Sequence, residues 1–248
     1  MLKENNDNRI VNALWIGKKL GPIEELTIKS FVEYGHQFRL WVYDELESET
    51  HGAVLYDANE VLSRNRVFRY PENSVINGGR GGGSYAGFSD VFRYKLLADR
   101  GGWWVDMDVT CLRPLLFSEP YFFRNHARLL VVGNVMKVPA CSELMRCCYE
   151  TASRTIDCNN DDWHKPIVIL CDKIKELKLD KWIKSGLGNI DMDWELEPFF
   201  RQLSYPPRAW YFIHWCHTWN SDILDVLIPD SFLWNLFERY DIELPPKH

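Results

Sequence analysis

The sequence SDVFRYKLLADRGGWWVDMDV, residues 89–109, predicts a helix that leads directly into a buried strand. Ser89 is a favourable N-cap residue, helix-forming residues continue through Ala98, and Gly101 is typical of the position where a helix ends. The following WWVDMDV is an aromatic and apolar run of the kind found in buried strands. We therefore expect a helix and a strand that are joined through Gly101 and Gly102.

Two aspartates, Asp106 and Asp108, lie two residues apart at the end of that predicted strand. Because side chains at i and i+2 of a strand point to the same face, the two carboxylates are expected to project together. Open α/β sheets bind ligands at the carboxyl ends of their strands, and paired carboxylates suit Mg²⁺ or Mn²⁺. The spacing favours a metal site over the alternative, an acidic turn that caps the next segment.

The region before this stretch predicts an α/β sheet. RIVNALWIG, residues 9–17, and FRLWVYDE, residues 38–45, are short apolar or aromatic runs typical of strands. GPIEELTIKSFVEYG between them predicts a helix, with Pro22 in its first turn and Gly35 at its end. Strand, helix and strand in this order indicate a parallel α/β arrangement.

Glycine is concentrated in NGGRGGGSYAG, residues 77–87. Its spacing matches neither phosphate-binding glycine motif, so we do not predict a nucleotide loop from the pattern. The composition predicts a flexible loop, for which a loosely packed linker and a mobile active-site cover are equally consistent. A second Asp-x-Asp pair, Asp191 and Asp193, lacks a preceding apolar strand and is interpreted as a loop or a helix cap.

The composition predicts a globular protein, and the first thirty residues indicate a cytoplasmic one. The chain has 248 residues, 46% of them hydrophobic, which is enough for one large domain. The excess of Asp and Glu, 35, over Lys and Arg, 29, argues against nucleic acid as a partner. The seven cysteines contain no Cys-x-x-Cys pair and are expected to be reduced and mostly buried. The first thirty residues contain no apolar run long enough for a signal peptide.

Asp90 and Arg93 lie three residues apart and therefore share a face of the predicted helix. With them, residues 89–114 resemble the DXD-containing GT-A glycosyltransferases, whose pattern is Ser-Asp-x-x-Arg, Leu, Gly-Gly, aromatics and Asp-x-Asp. The similarity is in particular to glycosyltransferase family 32, which includes outer-chain α-mannosyltransferases, α-1,4-galactosyltransferases and bacterial capsule or lipopolysaccharide transferases. NALWIGKKLGP, FRLWVYDE and IHWCHTWN are more weakly similar to other segments of that family.

The resemblance implies a GT-A type nucleotide-diphosphosugar transferase fold, an α/β fold with a mixed, mostly parallel sheet flanked by helices. It implies a single domain over residues 1–248. The part that binds the nucleotide sugar would span about 9–115, and the acceptor-side and C-terminal part about 116–248.

The resemblance also implies the roles of individual residues. Asp108 would bind the cation that bridges the donor diphosphate, and Asp106 would contact sugar hydroxyls or the metal. Asp90 and Arg93 would bind the donor sugar and its phosphates, which completes the catalytic set. The implied donor site comprises Trp15, Ile16, Asp90, Arg93, Asp106, Met107, Asp108, His214 and Trp219, and the implied metal ligands are Asp106, Asp108 and His214.

Several of these residues have a structural alternative. Arg93 could pair with Asp90 on the helix surface, and Trp15 is equally consistent with a core residue. His214 could be a half-buried histidine with its hydrogen bonds satisfied, and His217 competes with it for the ligand role.

The function implied by the resemblance is metal-dependent, retaining transfer of a hexose from a nucleotide diphosphate sugar. A UDP-sugar is favoured, with Mn²⁺ or Mg²⁺ as the cofactor and a glycan or lipid-linked saccharide as acceptor. The expected setting is polysaccharide biosynthesis in the cytoplasm, with peripheral association at the inner face of the membrane, although a translocated effector stays open. The alternatives are a haloacid-dehalogenase-type Mg-dependent phosphatase, whose strand-end Asp-x-Asp-x-Thr is also present, and a catalytically silent sugar-nucleotide-binding or effector protein.

Overall fold

The computed structural model describes residues 6–217 and 222–246 of the chain. The strands are β1 (Ile10–Trp15), β2 (Gln37–Val42), β3 (Val54–Asp57), β4 (Gly102–Val105), β5 (Val109–Cys111), β6 (Phe122–Asn125), β7 (Val131–Val138), β8 (Ile183–Lys184) and β9 (Phe212–His214). Seven of them form one sheet in the order β3-β2-β1-β4-β7-β6-β8, and β5 pairs with β9 in a second, two-stranded sheet.

The large sheet is mixed and mostly parallel. β1 runs parallel to both β2 and β4, and the outer pairs β2–β3 and β6–β8 are also parallel. β7 is antiparallel to β4 and to β6, so it is the reversed strand among those that the structure describes in this sheet. The α/β fold with a mixed sheet predicted from the sequence is confirmed.

Helices cover both faces of this sheet. They are α1 (Pro22–Glu33), α2 (Ala86–Arg100), α3 (Glu143–Thr155), α4 (Lys165–Glu176), α5 (Asp193–Leu196), α6 (Pro198–Arg201) and α7 (Phe232–Arg239). Trp104 belongs to the apolar core that the sheet shares with α2, α3 and α4, whereas its neighbour Trp103 belongs to the core on the α1 side. Alternation along β4 therefore places one tryptophan in each core.

Helix α2 begins earlier than the sequence predicts. It starts at Ala86, so Ser89 lies inside its first turns and is not the N-cap. The hydroxyl of Ser84 accepts the backbone N–H of Ala86 at 3.0 Å, and this contact precedes the helix. Ser89 Oγ is instead 3.4 Å from Arg93 Nη2, one turn further along α2.

The Asp-x-Asp pair follows β4 in a turn and is not part of the strand. The N–H of Asp106 still donates to Asn134 at 2.9 Å, but the N–H of Val109 then donates back to the carbonyl of Asp106 at 3.3 Å. The turn carries the chain from the large sheet into β5 of the second sheet. The predicted alternation along a strand is therefore wrong for Asp106 and Asp108, and their shared direction comes from the turn.

The second half of the glycine-rich segment, from Gly81 to Gly87, is closely packed. A Cβ atom at Gly82 would lie 2.4 Å from the carbonyl oxygen of Glu72, and one at Gly87 would lie 2.2 Å from the hydroxyl of Tyr70. Glycine is required at both positions because neighbouring groups occupy the space of a side chain. These contacts argue against a loosely packed linker at Gly82 and Gly87, whereas a Cβ at Gly78 or Gly79 would meet nothing within 4 Å.

All seven cysteines are free thiols, and four of them are buried: Cys111, Cys148, Cys171 and Cys216. This agrees with the expectation of reduced, mostly buried cysteines. Within the described ranges, no helix has the length and apolar character needed to cross a membrane.

Candidate functional site

A cavity of about 790 Å³ opens where β1 and β4 end, and eight of the nine implied donor-site residues line it. These eight are Trp15, Ile16, Asp90, Arg93, Asp106, Met107, Asp108 and His214. The ninth, Trp219, lies outside the described residues. The glycine-rich segment also contributes to the wall through Gly79, Gly82 and Gly83. The chain therefore brings its polar candidates to the carboxyl end of a mostly parallel sheet, where α/β proteins bind ligands.

The carboxylate of Asp106 is held by one side chain of β4 and one side chain of α2. The indole N–H of Trp104 donates to Asp106 Oδ1 at 2.7 Å, and Arg93 Nη2 lies 3.1 Å from the same oxygen. The carboxylate is one quarter exposed, so it stays accessible from the cavity. Its position is thus fixed by the strand that precedes it and by the helix that precedes that strand.

Asp108 contacts the C-terminal part of the chain. Its Oδ1 lies 3.2 Å from His214 Nε2, and its Oδ2 accepts the backbone N–H of His217 at 2.8 Å. The pairing of β5 with β9 places Val109 opposite His214 and so brings this histidine to the aspartate. Burial alone would raise the pKa of Asp108, but the charge and hydrogen bond of His214, together with the backbone hydrogen bond of His217, outweigh it and lower this pKa.

Asp106, Asp108 and His214 can converge on one cation. Each offers one ligand atom, and these atoms lie within 4.8 Å of one another. Two carboxylate oxygens and one imidazole nitrogen suit divalent ions of the Mn²⁺ or Mg²⁺ type. The competing His217 turns its ring towards Glu24, with Nδ1 3.4 Å from that carboxylate, so His214 is the histidine that joins the aspartates.

His214 is oriented by a buried ion pair that the sequence does not reveal. Asp191 Oδ1 lies 2.8 Å from His214 Nδ1, and Arg124 donates to both Asp191 oxygens, at 2.8 and 2.6 Å. The side chains of Arg124 and Asp191 are only 2% and 3% exposed, so this pair is shielded from water. A hydrogen bond from Nδ1–H to a carboxylate fixes the histidine ring and directs Nε2 towards Asp108, where it could bind a metal ion.

The charges around this pair shift two pKa values in opposite directions. Burial opposes ionisation of Asp191, but Arg124 and His214 outweigh it and hold the pKa of Asp191 far below its usual range. Burial also opposes protonation of His214, yet Asp108, with Asp191, raises the pKa of His214 well above its usual value. Without a cation, the imidazolium of His214 therefore balances the surrounding carboxylates.

The second Asp-x-Asp pair is in a loop at Asp191, as the sequence interpretation allowed, but a cap is not its main role. Asp191 adopts a left-handed backbone with φ of 59°, which aspartate tolerates better than most residues. Its carboxylate contacts His214 and Arg124. No apolar strand directly precedes Asp191 in the sequence. Its contacts with His214 and Arg124 therefore depend on residues far away in the chain.

Arg93 is buried at the centre of the donor-side residues. Its Nη2 lies 3.4 Å from Asp90 Oδ1 and 3.1 Å from Asp106 Oδ1, and its guanidinium lies 5.1 Å from the Trp104 ring centroid. Only 6% of the side chain is exposed, which excludes a surface pair with Asp90. A Cβ at Gly133 would approach Arg93 Nη1 to 2.8 Å, so glycine makes room for the guanidinium.

Asp90 has an unusual acidity for an aspartate. Burial raises the pKa of Asp90 to about 6, Asp106 reinforces this shift, and Arg93 opposes it. The carboxyl group lines the cavity beside Arg93. Above this pKa, the carboxylate can accept hydrogen bonds from hydroxyl groups.

The remaining implied residues form apolar parts of the cavity. Trp15 is half-buried and its indole N–H donates to the carbonyl of Lys19 at 3.1 Å, while its ring packs against the α1-side core. Ile16 packs against the opposite core. Met107 is buried, and its carbonyl accepts the hydroxyl of Thr27 at 2.8 Å. Trp15 thus combines the core and cavity positions that the sequence left as alternatives.

Sequence reasoning missed three polar residues of this region, Arg124, Asn134 and His126. Asn134 Nδ2 lies 2.8 Å from His214 Nδ1 and 3.2 Å from Asp191 Oδ2. Arg124 and Asn134 each interrupt an apolar strand, β6 and β7, and are buried. Since a buried polar residue needs a partner, an isolated Arg or Asn inside an apolar run was the available signal.

Comparison with known proteins agrees with this geometry. Residues 31–127 match the family described as the glycosyltransferase sugar-binding region containing the DXD motif. That match supports a glycosyltransferase enzyme, as expected. The description of the matched family does not specify glycosyltransferase family 32. It contains both Asp90–Arg93 and Asp106–Asp108, whereas His214 lies beyond it.

Two solved structures are similar to the chain at low identity. PaToxG glycosyltransferase shares 12% identity, with a TM-score of 0.49 and 68% of each chain covered. A transferase mutant with two cysteine-to-serine substitutions shares 10% identity, with a TM-score of 0.44, over 84% of this chain and 94% of that chain. No curated protein matches the sequence significantly.

Proposed function

We propose that this protein is a metal-dependent, retaining glycosyltransferase that moves a hexose from a nucleotide diphosphate sugar to a glycan or lipid-linked saccharide. The convergence of Asp106, Asp108 and His214 in the cavity carries this proposal. The family match supports a nucleotide-sugar donor and a sugar acceptor. Four further parts of the proposal rest on the sequence resemblance. They are the preference for UDP, the retention of configuration, the membership of family 32, and a single domain whose two parts meet near residue 115.

In the proposed site, one set of residues would bind the cation and another set would bind the sugar and the phosphates. Asp106, Asp108 and His214 would hold the cation, which supplies Lewis-acid stabilisation to the charge that develops on the leaving diphosphate. Asp90 would accept hydrogen bonds from sugar hydroxyls, and Arg93 would donate to sugar or phosphate oxygens. We propose front-face attack by the acceptor, without a protein nucleophile.

The geometry favours this proposal over a haloacid-dehalogenase-type phosphatase. That mechanism needs a strand-end aspartate as a nucleophile, but Asp106 is engaged by Trp104 and Arg93. β4 also lies within the large sheet after three earlier strands, whereas the phosphatase fold begins with its aspartate-bearing strand.

A catalytically silent binding or effector protein is also less well supported. Both aspartates of the turn, His214 and the Asp90–Arg93 pair are all present in the cavity.

The experiment that tests the proposed function compares Asp108→Asn with Asp99→Asn. Asp99 is exposed on α2 and pairs with Lys95, so its substitution is a matched control outside the cavity. We expect Asp108→Asn to lose Mn²⁺-dependent binding and hydrolysis of nucleotide sugars, and Asp99→Asn to retain both. The probes are UDP-glucose, UDP-galactose, UDP-N-acetylglucosamine and GDP-mannose, with calorimetry for binding and free nucleotide for hydrolysis.

Unchanged binding and hydrolysis in Asp108→Asn would contradict the metal role. Robust hydrolysis of p-nitrophenyl phosphate with Mg²⁺, abolished by Asp106→Asn, would favour the phosphatase instead. Tight donor binding by the wild type without hydrolysis or transfer would favour the silent binding protein.

We also propose surface polysaccharide synthesis on the cytoplasmic side of a membrane as the setting, with the translocated effector as the alternative. This rests on the resemblance. Cell fractionation of the producing organism tests it, because an effector would be recovered outside that cell.

A further inference from the structure

His126 lies in the turn between β6 and β7 and lines the cavity. It is half-buried, and neither the sequence nor the proposed metal cluster gives it a role. The charges of Asp191, Arg124 and His214 all act on its ring, so it belongs to the same polar region of the cavity.

Two backbone groups fix which ring nitrogen of His126 carries the proton. The N–H groups of Arg128 and Leu129 both point to His126 Nδ1, each at 3.1 Å. A nitrogen that accepts hydrogen bonds has no proton, so the neutral ring must carry its proton on Nε2. Burial lowers the pKa of His126, with Arg124 adding to the effect and Asp191 opposing it, and therefore favours this neutral form at pH 7.

The Nε2–H group of His126 is not used by the part of the chain that the structure describes. Within residues 6–217 and 222–246, the hydrogen bonds of the His126 side chain are the two to Nδ1. By contrast, the other two half-buried histidines of the cavity use a ring nitrogen on a carboxylate, His214 on Asp191 and His217 on Glu24. His126 therefore presents a neutral, oriented donor at the cavity wall.

We propose that His126 donates a hydrogen bond from Nε2 to a sugar oxygen bound in this cavity, an inference that rests on the proposed glycosyltransferase function. A neutral N–H matches an uncharged hydroxyl or ring oxygen. A metal ion is not its partner, because a protonated nitrogen has no lone pair to give. The sugar is either that of the donor or that of the acceptor, since both must meet in the cavity.

Two substitutions separate the ligand contact from the support of the turn. His126→Asn keeps an acceptor near the position of Nδ1 and removes the Nε2 donor. His126→Gln can place an N–H near the position of Nε2 but removes the acceptor for Arg128 and Leu129. We expect His126→Asn to unfold at the wild-type temperature and to bind sugar about tenfold more weakly, the effect of one lost hydrogen bond. His126→Gln should bind sugar more tightly than His126→Asn.

The measurements also distinguish the two sources of the sugar. UDP alone and UDP-sugars are titrated with Mn²⁺ into the wild type and both variants, and transfer to lactose and methyl α-mannoside is assayed. Weaker binding of UDP-sugar with unchanged binding of UDP indicates the donor sugar. Unchanged binding of both with a higher KM for the saccharide indicates the acceptor.

Failure of this inference differs from failure of the proposed function. A wild type that binds no nucleotide sugar rejects the proposed function, and the sugar assignment of His126 falls with it. A wild type that binds and transfers normally, together with an unchanged His126→Asn, overturns the inference alone. Nitrogen NMR of the histidine ring is an independent test, because a proton on Nδ1 would overturn the inference whatever the donor.

Discussion

At the scale of single residues, the position of His214 depends on Asp191 and Arg124. The imidazole is held between Asp108 on one nitrogen and Asp191 on the other. Arg124 occupies both oxygens of Asp191, so that carboxylate cannot rotate away from the ring without breaking a buried ion pair. The orientation of the third implied metal ligand is therefore built into the protein before any cation binds.

We predict that Asp191→Asn weakens Mn²⁺ binding by about 10- to 100-fold, because the histidine loses the carboxylate that orients it. The substitution also leaves the buried Arg124 cation without its partner, which costs about 3–5 kcal/mol in the free energy of unfolding. Calorimetric Mn²⁺ titration and urea unfolding measure the two effects separately.

A double variant, Arg124→Met with Asp191→Asn, distinguishes the two effects, because asparagine tolerates the left-handed backbone at residue 191 as aspartate does. Removing both charges should recover part of the stability, since no unpaired buried charge remains. Mn²⁺ binding should stay weak. Normal Mn²⁺ affinity in both Asp191→Asn and the double variant would show that the ion pair is structural only.

Residues with a local pattern were predictable, and residues with distant partners were not. Asp106, Asp108, Asp90 and Arg93 fall within one continuous stretch whose spacing is informative. Their presence in one cavity agrees with the resemblance, while their roles stay predictions. Arg124 and Asn134 have partners far along the chain, in Asp191 and His214, so single-sequence patterns could not assign them. His126 is bonded within its own turn, and its place at the cavity depends on the fold.

At the scale of elements, the turn between β4 and β5 and the glycine-rich segment shape the cavity.

The sequence predicted β1, α1 and β2, where apolar periodicity and helix-end residues agree. It did not predict β6, β8 or β9, which have four, two and three residues. Strands this short are defined by their partners, and no periodic pattern can develop over so few positions.

We predict that Gly82→Ala destabilises the glycine-rich segment by about 1–3 kcal/mol, the range found when a methyl group is forced into packed space. The added Cβ would meet the backbone carbonyl of Glu72, which cannot move aside as a flexible side chain could. Thermal unfolding and limited proteolysis of residues 70–87 measure the effect.

Val75→Ala is the matched control for this segment, because the Val75 side chain is 84% exposed. Its effect should stay within about 0.5 kcal/mol. Equal stability and equal protease resistance in Gly82→Ala and Val75→Ala would contradict the close packing described for this segment.

At the scale of the whole molecule, His36 joins three parts of the chain. It is buried, its Nδ1 donates to the carbonyl of Arg9 at 3.2 Å, and its Nε2 accepts the N–H of Leu115 at 2.9 Å. Both nitrogens are used by the neutral ring, so protonation would break the bond from Leu115. Burial lowers the pKa of His36 to about 4.

We predict that the protein loses up to about 3 kcal/mol of stability through His36 as the pH falls from 6.5 to 4. The unfolded chain takes up the proton near pH 6.5, whereas the folded chain takes it up only near pH 4. This contribution is therefore complete above pH 6.5 and is lost on acidification. Urea unfolding over this pH range measures it.

His36→Gln should reduce the pH dependence of stability, although it lowers stability at pH 7. His164→Gln serves as the control because His164 is exposed. The same slope of stability against pH in wild type and His36→Gln would contradict this assignment.

The pairing of β5 with β9 also determines when the cavity can be completed during synthesis. A nascent chain that has emerged only through α4 already contains Asp106 and Asp108, but it contains neither Asp191 nor His214. Domains begin to fold while the ribosome is still adding residues. The two carboxylates therefore meet their histidine only after β9 has been made, and an unfinished chain would not begin the proposed transfer.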